Sequence, residues 1–209
     1  QCLANKTQAT VFVGLEFRGE GKESFSGAVA FEPKIGMLKP FYAKQVLVPL
    51  GEYIPFSFLK SWVSQYGIED SYQKGSRCVV YDLPPKVGLS ICYEETFGDL
   101  VRQNKLLGAQ VLVNLTNNAW FSNSSLPKQH AEHARLRAVE NGFPIVRCAN
   151  TGSSMVIDSF GKTIALFGEG SDSYEWKKGC LSASFSLNNY STIYSGIGDK
   201  PLIYFCLSY

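Results

Sequence analysis

Residues Lys86–Leu115 read KVGLSICYEETFGDLVRQNKLLGAQVLVNL. The segment opens on a short strand, Lys86–Ile91, and closes on another, Gln110–Leu115, whose near-continuous apolar run is expected of a sheet covered on both faces. Between them Phe97, Leu100, Val101 and Leu106 recur at helical spacing and predict a helix over Thr96–Leu107. Gly108 supplies its C-cap. This strand–helix–strand alternation decides the fold class, because a helix between two apolar strands must pack on the sheet they build.

The flanks extend the pattern. Downstream, Pro127–Glu140 reads as a helix with Ala131, Ala134, Leu136 and Ala138 as its apolar or small positions. Strands are expected at Pro144–Cys148, Ser154–Asp158, Thr163–Phe167 and Cys180–Phe185, with a hairpin turn at Gly161. Upstream, Thr10–Phe17 and Ser26–Phe31 form strands around a polar turn at Arg18–Glu23. The sum is an α/β layered domain with a mixed sheet.

Composition narrows the function classes. The chain has 209 residues, 45% of them hydrophobic and 18% charged, which suits a globular domain rather than disorder, collagen or coiled coil. The net charge is +2, with no basic run that would track phosphates, so no nucleic-acid partner is expected. Six cysteines form no CxxC pair, which disfavours zinc and thioredoxin chemistry. The chain opens at Gln1 without a targeting pattern and stops within Pro201–Tyr209 (PLIYFCLSY), an apolar run. It reads as an excerpt of a longer protein. That last run either begins a membrane segment or closes the core as a terminal strand.

Cys92 sits where an apolar strand ends and a helix begins, a turn that holds a nucleophile out toward substrate. Buried cysteines are also ordinary core residues. Glu94 and Glu95 complement a helix N-terminus, and they oppose a neighbouring thiolate, so Cys92 needs a base and a positive group nearby. Lys44 is a lone lysine in the apolar stretch Phe41–Pro55 and is a candidate to stabilise an oxyanion; the other reading is a snorkelling surface lysine. Glu52, eight residues on, is by itself an unremarkable surface residue. His130 and His133 share a helix three residues apart, a metal-compatible spacing without a third ligand, so a structural role is favoured and no metal is expected. No histidine remains for a separate triad, which makes a carboxylate the expected base.

Tyr42–Glu52 (YAKQVLVPLGE), Ile91–Glu94 (ICYE) and Asn114–Phe121 (NLTNNAWF), followed by Gln129–Asn150 and Thr151–Gly161, occur in the order found in the nitrilase, or carbon–nitrogen hydrolase, superfamily. The chain resembles that superfamily over about residues 10–200, and within it most resembles the bacterial apolipoprotein N-acyltransferase branch. The resemblance implies a nitrilase-like α-β-β-α sandwich, incomplete at the N-terminus, over residues 1–200, with 201–209 starting a membrane segment. It implies Cys92 as nucleophile, Lys44 as oxyanion stabiliser and Glu52 as the glutamate that orients the site. Tyr93, Glu94 and Trp120 match substrate-binding positions around the nucleophile and acyl pocket. The sequence departs from the pattern at Val46, where a His is usual, and at Asn118 and Ser122, where Asp and Gly are usual. The family's general-base glutamate has no match here, Glu16 being a poor one, and is expected upstream of Gln1.

The reaction implied is cofactor-free acyl transfer from a membrane phospholipid, through a Cys92 thioester, to the diacylglyceryl-cysteine amine of a lipoprotein. It implies a bacterial inner-membrane enzyme with this domain on the periplasmic side. A soluble amidase that gives the acyl group to water is the alternative, and a non-catalytic module of the same fold is a third. Tyr53–Val63 (YIPFSFLKSWV) is expected either as a lipid-facing lip carrying Phe58 and Trp62 or as core packing.

Overall fold

The computed structural model describes residues 1–19, 23–56, 71–119, 124–168 and 178–208. They divide into two units, Gln1–Val79 and Val80–Tyr209. In the first, a short helix α1 (Cys2–Thr7) precedes strands β1 (Val11–Arg18), β2 (Ser24–Glu32), β3 (Gly36–Met37) and β4 (Tyr42–Ala43). The predicted hairpin forms, with β1 and β2 antiparallel from Val11↔Phe31 to Arg18↔Ser24. Phe17 lies opposite Phe25 and stacks on it at 5.4 Å, a cross-strand aromatic pair that holds the register. β3 and β4 both pair with β2. At Gly27 a Cβ would stand 2.3 Å from the Tyr42 carbonyl oxygen, so the glycine is what lets β4, and with it Lys44, lie against β2.

The second unit is built on a six-stranded sheet ordered β10-β9-β8-β7-β6-β5. Its strands are β5 (Val80–Tyr81), β6 (Val87–Ile91), β7 (Val111–Thr116), β8 (Ile145–Ala149), β9 (Met155–Ile157) and β10 (Thr163–Leu166). β6, β7 and β8 are parallel and the outer pairings antiparallel, so the sheet is mixed as expected. Helix α2 (Gly98–Leu106) makes the β6–β7 connection and α3 (Leu126–Asn141) lies between β7 and β8. Val101, Leu112, Phe143, Ile145 and Ile157 form one buried cluster with Ala131, Ala134 and Ala138. The alanines, at i, i+3 and i+7, give α3 a thin face that comes close to the sheet. Leu136, expected on that face, is exposed, because it falls two residues off the alanine stripe. In α2 Leu100, Val101 and Asn104 are buried, while Leu106 and the preceding Phe97 face outward. Gly161, at φ +79°, makes the β9–β10 turn, where Asp158 Oδ1 accepts the Phe160 and Lys162 amides.

Two expectations are corrected. Cys180–Phe185 is not a strand: 178–192 has no ladder partner and runs as an irregular strap. The strap is tied near its end by bonds that include Asn189 Nδ2 to the Ala109 carbonyl, the Tyr190 hydroxyl to the Ser159 carbonyl, the Tyr190 amide to the Gly142 carbonyl and Lys105 Nζ to the Tyr190 carbonyl. Pro201–Tyr209 does not close the core as a strand. Lys200–Leu207 is helical (α5, after the short α4 at Ile193–Ile197), with Pro201 in the first turn, where its fixed φ suits a helix, and none of its residues is buried. Among the described residues no helix is long and apolar enough to cross a membrane.

Candidate active site

In the first unit the backbone of Lys44 is fixed on both sides, its amide donating to the Ser26 carbonyl and its carbonyl accepting from Gly75. Its side chain is 1% exposed, and Nζ lies 2.7 Å from both carboxylate oxygens of Glu52. Glu52 closes a tight turn after Val48: Oε2 also accepts the Val48 amide at 2.8 Å, and Leu50 takes a left-handed φ of +62°. A buried ammonium needs such a counter-charge, and a turn that folds the carboxylate back over eight residues provides it. Lys44 is therefore no snorkelling surface lysine. Tyr72 extends the cluster: its amide donates to the Glu52 carbonyl, and the Glu16 and Glu52 carboxylates act on its phenol. The Tyr72 phenol is pushed up by burial first, then by Glu16 and Glu52. No sequence signal singled this tyrosine out. Phe58 and Trp62 lie outside the described residues.

In the second unit β6 is buried along its whole length and ends at Ile91, and Cys92 then turns into the left-handed region at φ +52°. That conformation costs a residue with a Cβ about 1–2 kcal/mol. A 3-10 turn, Cys92–Thr96, follows. The half-buried thiol lies 3.9 Å from the Asn117 carbonyl oxygen. Asn114, fully buried on β7, donates to the Ser90 hydroxyl at 3.0 Å and to the Cys92 carbonyl at 3.4 Å, and its own amide oxygen accepts from Thr116.

The two glutamates do not sit on the N-terminus of α2, which starts only at Gly98. Both are buried and turned inward. Glu94 Oε2 accepts the Ile91 amide at 2.7 Å, closing the turn around Cys92. Glu95 pairs with Arg147 of β8, which donates Nε to both oxygens at 3.0 and 3.2 Å and Nη2 to Oε1 at 3.0 Å. Arg147 also donates Nη1 to the Ser153 carbonyl. His130 is buried with Nδ1 3.3 Å from Glu95 Oε1, though poorly aligned for a hydrogen bond, while His133 faces outward. Among the described residues no group of three His, Cys, Asp or Glu side chains is placed to hold a metal. The Tyr93 ring meets Phe97 edge-on at 5.0 Å and lies 6.4 Å from the His130 ring. Asn150 joins the loops after β7 and β8, donating to Asn117 Oδ1 at 2.7 Å and accepting the Asn118 amide at 3.0 Å. Trp120 lies outside the described residues.

Thus Lys44 and Glu52 meet in one unit, and Cys92, Tyr93 and Glu94 share one turn in the other. The first unit holds a buried ammonium fixed by a carboxylate; the second holds a strained cysteine at the C-terminal edge of parallel strands, where open α/β sheets bind ligands. The family profile of carbon–nitrogen hydrolases matches residues 1–189. The chain belongs to the carbon–nitrogen hydrolase family.

Its curated relatives include the apolipoprotein N-acyltransferase of Chlamydia caviae, 36% identical over 218 residues, covering 99% of this chain and 40% of the relative. That of Chlamydia trachomatis is 35% identical, with coverages of 97% and 39%. That of Rickettsia bellii is 41% identical over 169 residues, covering 78% of this chain and 33% of its own length. The chain therefore spans about two fifths of the length of the chlamydial relatives. Among solved structures, an amidase from Nesterenkonia sp., recorded with acrylamide added at its active-site cysteine, has a TM-score of 0.61 at 19% identity, covering 80% of this chain and 62% of that one. A carbon–nitrogen hydrolase from Helicobacter pylori gives 0.60 at 20%, covering 83% and 62%. These likenesses establish the shared fold.

Proposed function

We propose that the chain carries the acyl-transfer site of an apolipoprotein N-acyltransferase, with Cys92 as nucleophile. The observation that carries this reading is the Cys92 turn. A non-glycine residue is held in left-handed backbone by buried partners, on a chain similar over 99% of its length to a relative of that name. Strain retained at one residue, and over-determined around it, is what a positioned nucleophile requires.

In the first half-reaction the Cys92 sulfur attacks the ester carbonyl of a phospholipid. A C–S bond forms, the C–O bond breaks, and the thiol proton passes through a carboxylate base to the departing lysophospholipid alkoxide. In the second, the α-amine of a lipoprotein's diacylglyceryl-cysteine attacks the thioester. A C–N bond forms, the C–S bond breaks, and the amine proton returns to the sulfur. Two easier steps replace one hard one. Lys44 stabilises the oxyanion in both, and Glu52 keeps its ammonium charged and oriented. Glu94 closes the nucleophile turn, Tyr93 borders it, and by its place in the family motif Trp120 takes part in substrate binding. Residues 1–200 serve as the catalytic domain, and 201–209 lead into a membrane segment. The enzyme works at the bacterial inner membrane with this domain on the periplasmic side, where donor phospholipid and lipoprotein acceptor are both present.

The test is mass spectrometry of the full-length protein after incubation with phospholipid. A hydroxylamine-labile fatty-acyl adduct on Cys92, absent in Cys92→Ala and discharged by a diacylglyceryl-peptide amine, is expected. An unmodified Cys92 would overturn the reading, and discharge to water at the same rate with and without the amine would turn it toward an amidase.

A further inference from the structure

We propose that Arg147 is a positioning residue for the nucleophile: by neutralising Glu95 inside the protein it removes a negative charge that would oppose the Cys92 thiolate, and it anchors the turn on which the thiol stands. The inference rests on the reading of Cys92 as nucleophile and gives work to a side chain that reading leaves idle.

Glu95 follows Cys92 by three residues in a 3-10 turn, a rise of about 6 Å. A buried carboxylate left uncompensated on the same short turn disfavours a thiolate there. Glu95 is 1% exposed, so water does not screen it. Arg147, equally buried, places the two edges of its guanidinium differently: Nε and Nη2 grip the Glu95 carboxylate while Nη1 holds the Ser153 carbonyl. The planar fork thereby ties the turn after β6 to the loop after β8, across the intervening β7. A lysine in this place would neutralise the charge but could not make both ties.

The other charged groups around this turn do not substitute for Arg147. β6 and β7 carry none. From α3, His130 approaches Glu95 without a hydrogen bond, and Arg137 is paired with Glu140. From α2, Arg102 holds the carbonyls of Tyr194, Ser195 and Gly196, Lys105 holds that of Tyr190, and Asp99 is exposed beside Arg102. On the turn itself Glu94 accepts the Ile91 amide.

The experiment follows alkylation of Cys92 by iodoacetamide in the full-length protein, read as the mass of the Cys92 peptide over a range of pH. Arg147→Gln is expected to slow alkylation about tenfold at neutral pH and to move its midpoint up by about one pH unit. Glu95→Gln with Arg147→Gln removes both charges and is expected to bring the midpoint back to within about 0.3 unit of wild type. Arg147→Lys should leave the midpoint in place while slowing formation of the acyl adduct, because the charge is kept and the fork is lost. A double variant as slow as the single one, or an unmoved midpoint in Arg147→Gln, would overturn the proposal. If Arg147→Gln does not fold, judged by near-ultraviolet circular dichroism, Glu95→Gln decides alone: its midpoint must fall, and a static or rising one is fatal. Failure of the acyl-transfer reading is separable, since it shows as a wild-type Cys92 that alkylates but never acylates.

Discussion

The Lys44–Glu52 pair and the Cys92 turn solve the same problem, holding a reactive group in a costly state, by opposite means. The ammonium is fixed by one carboxylate eight residues away, folded back by a single turn. The cysteine is fixed by partners scattered along the chain: Asn114 on β7, Asn117 after it, and Arg147 on β8 acting through Glu95. A locally built device has one partner to lose. A distributed one has several, each modest, and depends on the sheet that brings them together.

The sharpest way to break the comparison is at Glu52. Glu52→Gln leaves an ammonium of 1% exposure without its counter-charge, and a loss of about 3–5 kcal/mol in urea unfolding is expected. Lys44→Met is expected to cost far less stability, because the partly exposed Glu52 keeps the Val48 amide, yet to slow formation of the Cys92 acyl adduct about 100-fold or more. Equal stability losses for the two would mean that the pair is not asymmetric in the way its burial indicates.

The difference between the regions also explains what the sequence made legible. A lone lysine in an apolar stretch with a glutamate close behind is a local signal, and so is a cysteine at the junction of strand and helix. The mixed sheet, both helices on it and the hairpins followed from periodicity for the same reason. Arg147 carried a signal of the same kind, a single charge inside the strand PIVRC, but its meaning depends on Glu95, which the chain brings near only once β6, β7 and β8 are aligned. Glu94 and Glu95 were placed on a helix end because sequence cannot show that the helix starts two residues after the 3-10 turn. Cys180–Phe185 has strand-like alternation, but alternation does not supply a neighbour to pair with.

A second contrast lies in two tyrosines. Tyr81 on β5 is pushed up to about 12 by burial, whereas Tyr72 is raised by burial together with Glu16 and Glu52. Both phenols are neutral in the folded state at pH values where an unfolded tyrosine ionises. Their contribution is therefore complete below about pH 10 and lost as pH climbs through the folded values. For Tyr81 that loss is about 2–3 kcal/mol between pH 10 and 12, measured as the alkaline fall in the urea midpoint and reduced in Tyr81→Phe. Glu16→Gln should ease the Tyr72 part and leave the Tyr81 part unchanged. A change in the Tyr81 part would show that the two titrations are not independent.

Asn114 tests the distributed region directly. Asn114→Ala removes the donor to Ser90 and Cys92 and strands the Thr116 hydroxyl, for an expected loss of about 1–3 kcal/mol. The acyl-adduct rate should fall with it, about tenfold, since the Cys92 carbonyl is then free to swing. A stability loss with no change in adduct rate would reduce Asn114 to a core residue.

The smallest effect carries the most information about strain. Replacing Cys92 by glycine relieves the left-handed backbone penalty, whereas alanine, which keeps a Cβ, does not. Both variants are unreactive, so activity does not separate them. The difference in their urea midpoints does: Cys92→Gly is expected to be about 1 kcal/mol more stable than Cys92→Ala, the reverse of their order wherever φ is negative. The two variants share the loss of the thiol and differ mainly in the Cβ. A glycine variant more stable than its alanine counterpart would therefore measure what the fold spends to hold the nucleophile in place. The ordinary order would mean that the turn relaxes without cost.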